Sequence, residues 1–533
     1  MNYYTLPKNN NFIDSVNLLT SKLQTRSSLS SYESKGVVSP SLNNVKVPNE
    51  KETDSRSIYD STDESTHISK TLCAYLKIIK RQIDNNMDLW DNMKKYTNPY
   101  EFIHTVIPGC KVATSQLKPL SRSFYKMIEI SHTMELFTDL SLHSIQTFHL
   151  AEGPGGFIEA TRHIRCESLN KALLNKGTTN NNSNNNNESI PPPPGLEKNV
   201  VTNEEIKEIY RKDKHYGMTL LNESDSNIPG WGKSKGFLKK NPNVSIEKGV
   251  TGTGDLLRTE NLLHYYHNFN NSMDIVTGDG GFDFSIDFNH QELLASKLLF
   301  AQICFALAIQ KEGGHFVLKV FDLFTKPSLE CLYILSSMYE EVHIIKPSTS
   351  RLANSEKYLV CKYFRRNEMY TRLMDSIIAN FHLLSCDPSE VKEMNKDTEH
   401  EKNSSSCTGA SSTSTKESDD CNNVHTIIKS ILPFPIEYYF VNKVEDYNAI
   451  FGQQQIENIT TTMSNISSKA KADKIDNLKK NNIMKCLAWC EKHNIPSNQN
   501  VIHASLYSKS QKKHNSHHHG HNSHNHSHGK PKW

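Results

Sequence analysis

Three charged residues lie beside apolar segments of the chain, and their types suit proton chemistry. Asp279 follows the apolar run in "MDIVTGDGG". Lys319 interrupts the apolar run in "HFVLKVFD", and Glu356 directly precedes the apolar segment "KYLVCKYF". Burial disfavours an ammonium group and depresses its pKa. A lysine of this kind flanked by two carboxylates could deprotonate a hydroxyl group near neutral pH. Taken singly, the three residues also fit a turn-capping aspartate, a lysine at a strand end and a surface acid.

A glycine-rich segment, "HLAEGPGGFIEA" at residues 149–160, is a second candidate site. Gly153, Gly155 and Gly156 follow an apolar run and precede a helical pattern, so a ligand could approach the main-chain amides closely. Glu152 would suit a ligand with a positive or amino group. A tight turn without a ligand remains an alternative. A dinucleotide-binding loop is a weaker one, because the spacing G-x-G-G departs from G-x-G-x-x-G.

The segments around these residues alternate between strand and helix patterns. Strands are predicted at "QTFHLAE", "MDIVTGDGG", "GGHFVLKVFD", "EVHIIKP" and "KYLVCKYF". Helices are predicted at "GFIEATRHI", "QELLASKLLFAQICFALAIQ" and "SLECLYILSSMYE". This alternation predicts an α/β fold with a mostly parallel sheet and helices on both faces. Ligands of such sheets bind beyond the carboxyl ends of the strands, where the candidate residues lie.

Composition divides the 533 residues into a core and several polar segments. Only 36% of the chain is hydrophobic and the mean hydropathy is -0.59, which is low for a fully packed chain. We expect a largely disordered region at 1–67, a catalytic domain at 68–370 with a disordered insertion at about 170–200, and a low-complexity linker at 394–423. A small helical region at 424–507, containing the amphipathic "IMKCLAWCEKHNI", and a disordered His-rich tail at 508–533 would follow.

Charge and cysteine content restrict the class of protein. The formal net charge is only +3, so any nucleic-acid surface must be local. The absence of a long apolar run and of a secretory signal argues against membrane insertion and secretion. The 11 cysteines read as reduced thiols, although zinc or a disulfide at Cys486 and Cys490 is an alternative. No metal site is predicted. The terminal histidines could bind transition metals, but solvated titrating groups are the simpler interpretation.

Four motifs in order, "AEGPGGF", "TGDGGF", "GGHFVLKVFDLFT" and "SRLANSEKYLVCKYF", resemble the FtsJ/RrmJ-type RNA 2'-O-ribose methyltransferases. The resemblance covers roughly residues 80–365. It implies a Rossmann-like methyltransferase fold whose last strand is antiparallel. The family's Lys-Asp-Lys-Glu tetrad matches Asp279, Lys319 and Glu356, and "SRSFYKMIEI" supplies Lys126 as the first lysine.

The resemblance implies S-adenosyl-L-methionine as the methyl donor. The cofactor-binding residues it implies are Ser121, Ala151, Glu152, Gly153, Pro154, Gly155, Gly156, Phe157, Asp255 and Leu256. Ser121 departs from the family, which often has asparagine there, but a serine can also form a hydrogen bond. In the implied mechanism Lys319 takes the proton of a ribose 2'-hydroxyl, Asp279 and Glu356 orient Lys319, and Lys126 positions the substrate.

The resemblance is strongest to the branch that acts on capped mRNA, which implies methylation of the first transcribed nucleotide (cap 1). The substrate contacts it implies are Lys80, Asp84, Lys94, Asn289, His290, Gln291 and Glu356, with Arg351 and the lysines of 80–95 near phosphates. Alternatives are the second nucleotide, a non-capped RNA, or a silent cap- or RNA-binding protein. Capped mRNA and the transcription or capping machinery are the expected partners, with RNA rather than DNA bound. Nuclear location is expected, or cytoplasmic if the chain is viral.

Overall fold

The computed structural model describes residues 3–9, 66–138, 140, 143–181, 203–221, 230–281, 291–385, 427–469 and 472–501. The chain divides into two compact units, one from residues 1–86 and 119–460 and the other from 87–118 and 461–533. The predicted linker 394–423, the tail 508–533 and most of the predicted N-terminal region 1–67 lie outside the described residues.

One eight-stranded sheet forms the centre of the first unit, in the order β1-β7-β8-β6-β5-β2-β3-β4. Its strands are β1 (Tyr3–Thr5), β2 (Gln146–Leu150), β3 (Lys214–Met218), β4 (Val244–Glu247), β5 (Met273–Gly278), β6 (Gln310–Val320), β7 (Tyr339–Ile345) and β8 (Lys357–Phe364). Strands β4, β3, β2, β5 and β6 pair in parallel, whereas β8 is antiparallel to both β6 and β7. The prediction of a Rossmann-like, mostly parallel sheet with an antiparallel last strand is confirmed.

Helices connect the strands of the first unit, and the second unit is also helical. They are α1 (Lys70–Asp84), α2 (Met87–Thr97), α3 (Ser123–Met134), α4 (Gly156–Asn181), α5 (Asn203–Lys212), α6 (Lys235–Lys240), α7 (Thr259–Asn268), α8 (Gln291–Leu294), α9 (Ser296–Ile309), α10 (Lys326–Met338), α11 (Glu368–Asn380), α12 (Tyr438–Ser467) and α13 (Ala472–Lys492). Within the described chain, none of these helices is both long and apolar enough to cross a membrane.

Helix α9 shows why the core lies where it does. Eleven of its 14 residues are buried, as its nearly all-round apolar sequence predicts. The helix packs against β5 and β6 on one side and α7 and α10 on the other. The sequence pattern predicted one helix from residue 291, but Ala295 separates the short α8 from α9. The core therefore holds the two central strands whose ends carry Asp279 and Lys319.

Three strands escaped sequence analysis, and one helix runs further than expected. Strands β1 and β4 have only three and four residues, too few to show a clear period, and β3, with the sequence KHYGM, is as short as β2 but less apolar. Strand β1 pairs with β7 at the edge of the sheet, although it falls in the region expected to lack structure. Helix α4 continues to Asn181, into the predicted insertion, and residues 182–200 lie outside the described part.

The second unit combines α2 with α13 and the segments around them. Asn482 on α13 donates a hydrogen bond to the main-chain oxygen of Tyr96 at 2.8 Å. Ser115 and Ser497 form an antiparallel bridge. The predicted amphipathic helix is confirmed, with Cys486 and Cys490 buried as free thiols. The grouping departs from the predicted 68–370 and 424–507 division, because 87–118 clusters with 461–501 whereas 427–460 clusters with the sheet.

Candidate active site

Asp279 and Lys319 meet at the carboxyl ends of two neighbouring parallel strands. Asp279 directly follows β5, and Lys319 is the penultimate residue of β6. The Lys319 Nζ donates to the main-chain oxygen of Asp279 at 2.6 Å and lies 3.3 Å from carboxylate Oδ1. Tyr358 donates a hydrogen bond to the same Oδ1 at 3.1 Å. Both side chains therefore lie at the sheet edge where ligands of this fold class bind.

Lys126 on α3 and Glu356 before β8 form a buried ion pair. Lys126 Nζ lies 2.6 Å from Glu356 Oε1 and 2.8 Å from Oε2. Their side chains are only 8% and 14% exposed. Burial lowers the pKa of Lys126, and the charges of Glu356 and Asp279 oppose that shift. Burial alone would raise the pKa of Glu356, but Lys126 and Lys319 together hold it below its usual value. Glu356 is therefore an ionised carboxylate at neutral pH.

The structure brings all four predicted catalytic side chains into one cluster. Glu356 interacts electrostatically with both lysines, and Asp279 with Lys126. Burial, followed by the charge of Asp279, raises the pKa of Tyr358 well above its usual value, so its hydroxyl stays a donor. Two lysine side chains and two carboxyl groups thus lie together in a partly buried cluster. Such a cluster can accept one proton from a hydroxyl group while the remaining charges stay paired.

A loop between β7 and β8 holds Glu356 in place. Ser350 Oγ donates to Glu356 Oε1 at 2.9 Å. Lys346 Nζ donates to the main-chain oxygens of Glu356 at 2.8 Å and Asn354 at 2.7 Å. Burial and the neighbouring Lys357 lower the pKa of Lys346 to about 7. The loop is thus fastened at both ends, which restricts where the Glu356 carboxylate can lie.

The glycine segment turns sharply between β2 and α4, as predicted. Gly155 has φ +109°, a backbone conformation that residues other than glycine rarely adopt. A Cβ atom on Gly156 would overlap the hydroxyl oxygens of Ser121 and Ser123, which hydrogen-bond to each other. Ser121, predicted as a cofactor contact, therefore lies directly against the glycine loop. The main chain at Gly155 and Gly156 is buried against these neighbours, so no larger residue fits at either position.

Glu152 has a local structural role that the sequence did not reveal. Its Oε1 accepts hydrogen bonds from the main-chain N–H groups of Phe157 at 2.6 Å and Ile158 at 3.2 Å, at the start of α4. Burial and the charge of Asp279 raise its pKa well above the usual value. The carboxyl group thus satisfies amides of the first helical turn. The electrostatic effect of Asp279 also shows that the glycine loop adjoins the catalytic cluster.

The predicted acid Asp255 lies in a turn after β4. Gly252 and Gly254 on its N-terminal side have φ +72° and +67°. Asp255 Oδ1 accepts a hydrogen bond from Leu257 N at 2.9 Å, and the neighbouring Leu256 is buried. Main-chain bonds from Leu221 to Thr253 and from Glu152 to Met218 tie this turn, the end of β3 and the glycine loop together. Asp255 is half-buried at this edge, consistent with a ligand-facing position.

Three residues at the site were not identified from the sequence. Gln302, the amide in the otherwise apolar α9, accepts from Gly280 N at 3.1 Å and supports the turn that contains Asp279. The sequence did offer a clue to Gln302, because it is the single amide side chain in an otherwise apolar helical segment. The ring of Trp231 lies against Gly155 and Gly217, and Ser234 donates to the main-chain oxygen of Pro154. The segment 230–240 therefore covers one side of the glycine loop.

The predicted RNA contacts are spread over several elements. Lys80 on α1 pairs with Asp322 at 3.0 Å, and Lys357 approaches the same carboxylate at 3.5 Å. Asp84 is exposed at the end of α1. Gln291 begins α8 and accepts a hydrogen bond from Ser355 at 2.9 Å, next to Glu356.

Three other predicted contacts lie in the second unit or outside the described residues. Lys94 lies on α2 in the second unit, where it pairs with Asp91. Asn289 and His290 lie outside the described residues. Arg351 is half-buried in the loop that leads to Glu356. Across the described residues, no group of three or more His, Cys, Asp or Glu side chains is arranged to hold a metal ion.

Comparison with known proteins identifies the domain. Residues 199–364 match the FtsJ-like methyltransferase family. A cap-specific mRNA (nucleoside-2'-O-)-methyltransferase 1 from Mus musculus is 39% identical over 163 residues, covering 29% of this chain and 19% of the mouse protein. A cap-specific mRNA (nucleoside-2'-O-)-methyltransferase 2 from Danio rerio is 27% identical over 314 residues, covering 57% of this chain and 36% of the fish protein.

The chain thus spans only a minor part of the length of these relatives. Among solved structures, human methyltransferase-like protein 13 in complex with SAH aligns over 51% of this chain and 99% of that one, with 10% identity and a TM-score of 0.27. The family match includes Asp279, Lys319 and Glu356, whereas Lys126 and the glycine loop precede it. The chain therefore carries an FtsJ-like methyltransferase domain.

Proposed function

We propose that this protein transfers a methyl group from S-adenosyl-L-methionine to the ribose 2'-hydroxyl of the first transcribed nucleotide of capped mRNA. The observation that carries the proposal is the cluster of Lys126, Asp279, Lys319 and Glu356 beside the glycine loop. Relatives named as cap-specific mRNA 2'-O-methyltransferases support the choice of substrate. Methylation of the second nucleotide is the alternative, because the Danio rerio relative is named as enzyme 2 of this type.

The residues around the glycine loop fit the proposed methyl donor. Gly155 turns the main chain sharply with φ +109°, and the ring of Trp231 lies beside it. Asp255 supplies a carboxylate that could accept from ribose hydroxyls. Ala151, Gly153, Pro154 and Phe157 complete the turn, and Leu256 adds an apolar surface. When bound, the donor supplies a methyl group on a positively charged sulfur.

Lys319 is the proposed base. In its neutral form it accepts the proton of the 2'-hydroxyl, which leaves the oxygen free to bond to the methyl carbon as the carbon–sulfur bond breaks. Asp279, in contact with Lys319 and fixed by Tyr358, stabilises the resulting ammonium group. Lys126, held by Glu356, directs a second positive charge toward the developing oxyanion.

A small cleft lies beside Lys319, and as it stands it is too narrow to hold a nucleotide. Phe321, Asp322, Glu292 and Gln302 contribute to its lining. Burial raises the pKa of Glu292 to about 7 although Ser328 and Thr325 donate to it.

The test compares RNAs of one sequence that carry a 7-methylguanosine cap, an unmethylated guanosine cap or a 5'-triphosphate. Tritiated methyl transfer is measured, and nuclease mapping locates the product. A cationic 7-methylguanine gains cation–π attraction on an aromatic surface that plain guanine lacks. We expect the methylated cap to react fastest and the triphosphate hardly at all, with the label on the first nucleotide.

Substrates with a pre-methylated first ribose separate the alternatives. Retention of activity on them, with the label on the second nucleotide, would favour second-nucleotide methylation. Equal rates on all three 5' ends, or label spread through the RNA body, would refute the cap assignment. We also propose nuclear location, where a cellular chain would meet new transcripts and the capping machinery, with the cytoplasm as the alternative for a viral chain.

A further inference from the structure

We propose that Glu129 is a positioning residue that sets the distance between Lys126 and Glu356. Glu129 lies one helical turn after Lys126 on α3, and its side chain is buried. Its two carboxylate oxygens face the β7–β8 loop rather than the reacting groups. The inference rests on the proposed function only for its kinetic consequence; its structural part stands on the contacts below.

Three hydrogen bonds connect Glu129 to the loop. Oε1 accepts from Ser348 N at 2.9 Å, and Oε2 accepts from Thr349 N at 3.0 Å and Thr349 Oγ at 3.0 Å. Glu129 and Thr349 are both buried, so water cannot easily replace a lost bond. The carboxylate is therefore a firm attachment of the loop to α3.

The attachment closes a ring that contains the catalytic ion pair. Ser350, the residue after Thr349, donates to Glu356 Oε1 at 2.9 Å. Glu356 in turn binds Lys126 at 2.6 Å, which returns to α3. The ring thus runs from Lys126 through Glu129, the loop and Glu356 back to Lys126. Breaking it at Glu129 releases the loop segment that carries Ser350, without removing any charge from the catalytic cluster.

The kinetic consequence follows from the short distances in the cluster. A displacement of about 1 Å at a reacting centre can reduce the rate on the order of 100-fold. Loss of the Glu129 bonds would let Glu356 and Lys126 separate. The glycine loop is not part of this ring, so its position should not change. We therefore expect slower turnover with unchanged affinity for the methyl donor.

The test variant is Glu129→Gln, which preserves the side-chain size but presents an N–H group to a backbone donor. The matched control is Glu330→Gln. Glu330 on α10 is also a buried carboxylate and accepts from Ser430 Oγ at 2.8 Å and Ile431 N at 2.5 Å. Both variants lose hydrogen bonds from a hydroxyl and from the main chain, and Glu330→Gln also weakens an ion pair with Lys326 at 3.6 Å, but only Glu129 lies in the ring. Calorimetric binding of S-adenosyl-L-methionine and thermal unfolding establish that each full-length variant is folded.

Two measurements decide the question. Backbone hydrogen exchange and chemical labelling of the Lys126 amine, both followed by mass spectrometry, do not depend on enzymatic activity. Glu129→Gln should accelerate amide exchange in residues 347–356 and the labelling of Lys126. Glu330→Gln should change neither rate. Turnover on capped RNA should fall on the order of 10- to 100-fold in Glu129→Gln alone. An inactive wild type would refute the proposed function, while the labelling result would still decide the position of Lys126.

A double-mutant cycle gives a further check. If Glu129 acts through the loop, Glu129→Gln combined with Ser350→Ala should be no slower than the slower single variant. Fully multiplicative rate losses would mean that the two residues act independently and would overturn the proposal. So would equal Lys126 labelling in Glu129→Gln, Glu330→Gln and the wild type.

Discussion

Replacing Lys126 by methionine should separate the stability of the buried ion pair from its catalytic use. Methionine has a similar length but no charge, so the substitution leaves Glu356 ionised in a site where its side chain is 14% exposed. Removing one partner of a buried ion pair costs about 3–5 kcal/mol. Glu356 would retain the hydrogen bond from Ser350 and the attraction of Lys319. We therefore expect Lys126→Met to lower the free energy of unfolding by about 3 kcal/mol, the lower end of this range.

The double variant Lys126→Met/Glu356→Gln provides the internal comparison. Neutralising both partners removes the uncompensated charge, so stability should return to within about 1 kcal/mol of the wild type. Methyl transfer should not return, because both charges are missing from the cluster. We expect activity at least about 100-fold below wild type in the single and double variants.

Thermal unfolding and the tritiated methyl assay measure the two effects on the same preparations. A loss of about 3 kcal/mol corresponds to a fall in Tm of roughly 5 °C for a unit of this size, at about 2 cal/mol/K of unfolding entropy per residue. A Lys126→Met protein as stable as the wild type would refute the buried-pair argument. So would a double variant that is no more stable than the single one. Activity recovered in the double variant would instead contradict the catalytic role of the pair.

Other perturbations test the base, the sheet interior and the insertion. Lys319→Ala should reduce methyl transfer on the order of 10²–10⁴-fold with donor affinity nearly unchanged, and a variant that keeps more than about a third of the rate would show that the base is misassigned. Burial lowers the pKa of His149 to about 3. Between pH 6.5 and 5 the imidazole therefore gains a proton only in the unfolded state, which lowers the free energy of unfolding by about 2 kcal/mol. Denaturant unfolding of wild type and His149→Gln should give a flatter pH dependence for the variant, and parallel curves would contradict the assignment. Deleting 182–197 should change turnover only a few-fold, because loop closure entropy varies slowly with length, and a folded but inactive deletion would indicate an RNA or partner contact.

The sequence by itself determined the elements whose signal is local. The apolar runs that became β2, β5, β6, β7 and β8 had enough length to show their type, and the apolar α9 required a buried position. The glycine turn could be located because Gly155 needs a left-handed conformation. Asp279 and Lys319 could be placed at one edge because parallel strands share a direction.

Only the tertiary structure decided which distant residues meet. Lys126 and Glu356 are 230 positions apart, and nothing in either segment specifies the other. The same holds for Glu129 and Ser348, separated by 219 positions, and for Gln302 and Gly280 across the core. Local periodicity records which face of an element is buried, whereas partners depend on how the elements pack. Charge pairing in the site is therefore a property of the packed sheet, even though each charged residue was visible in the sequence.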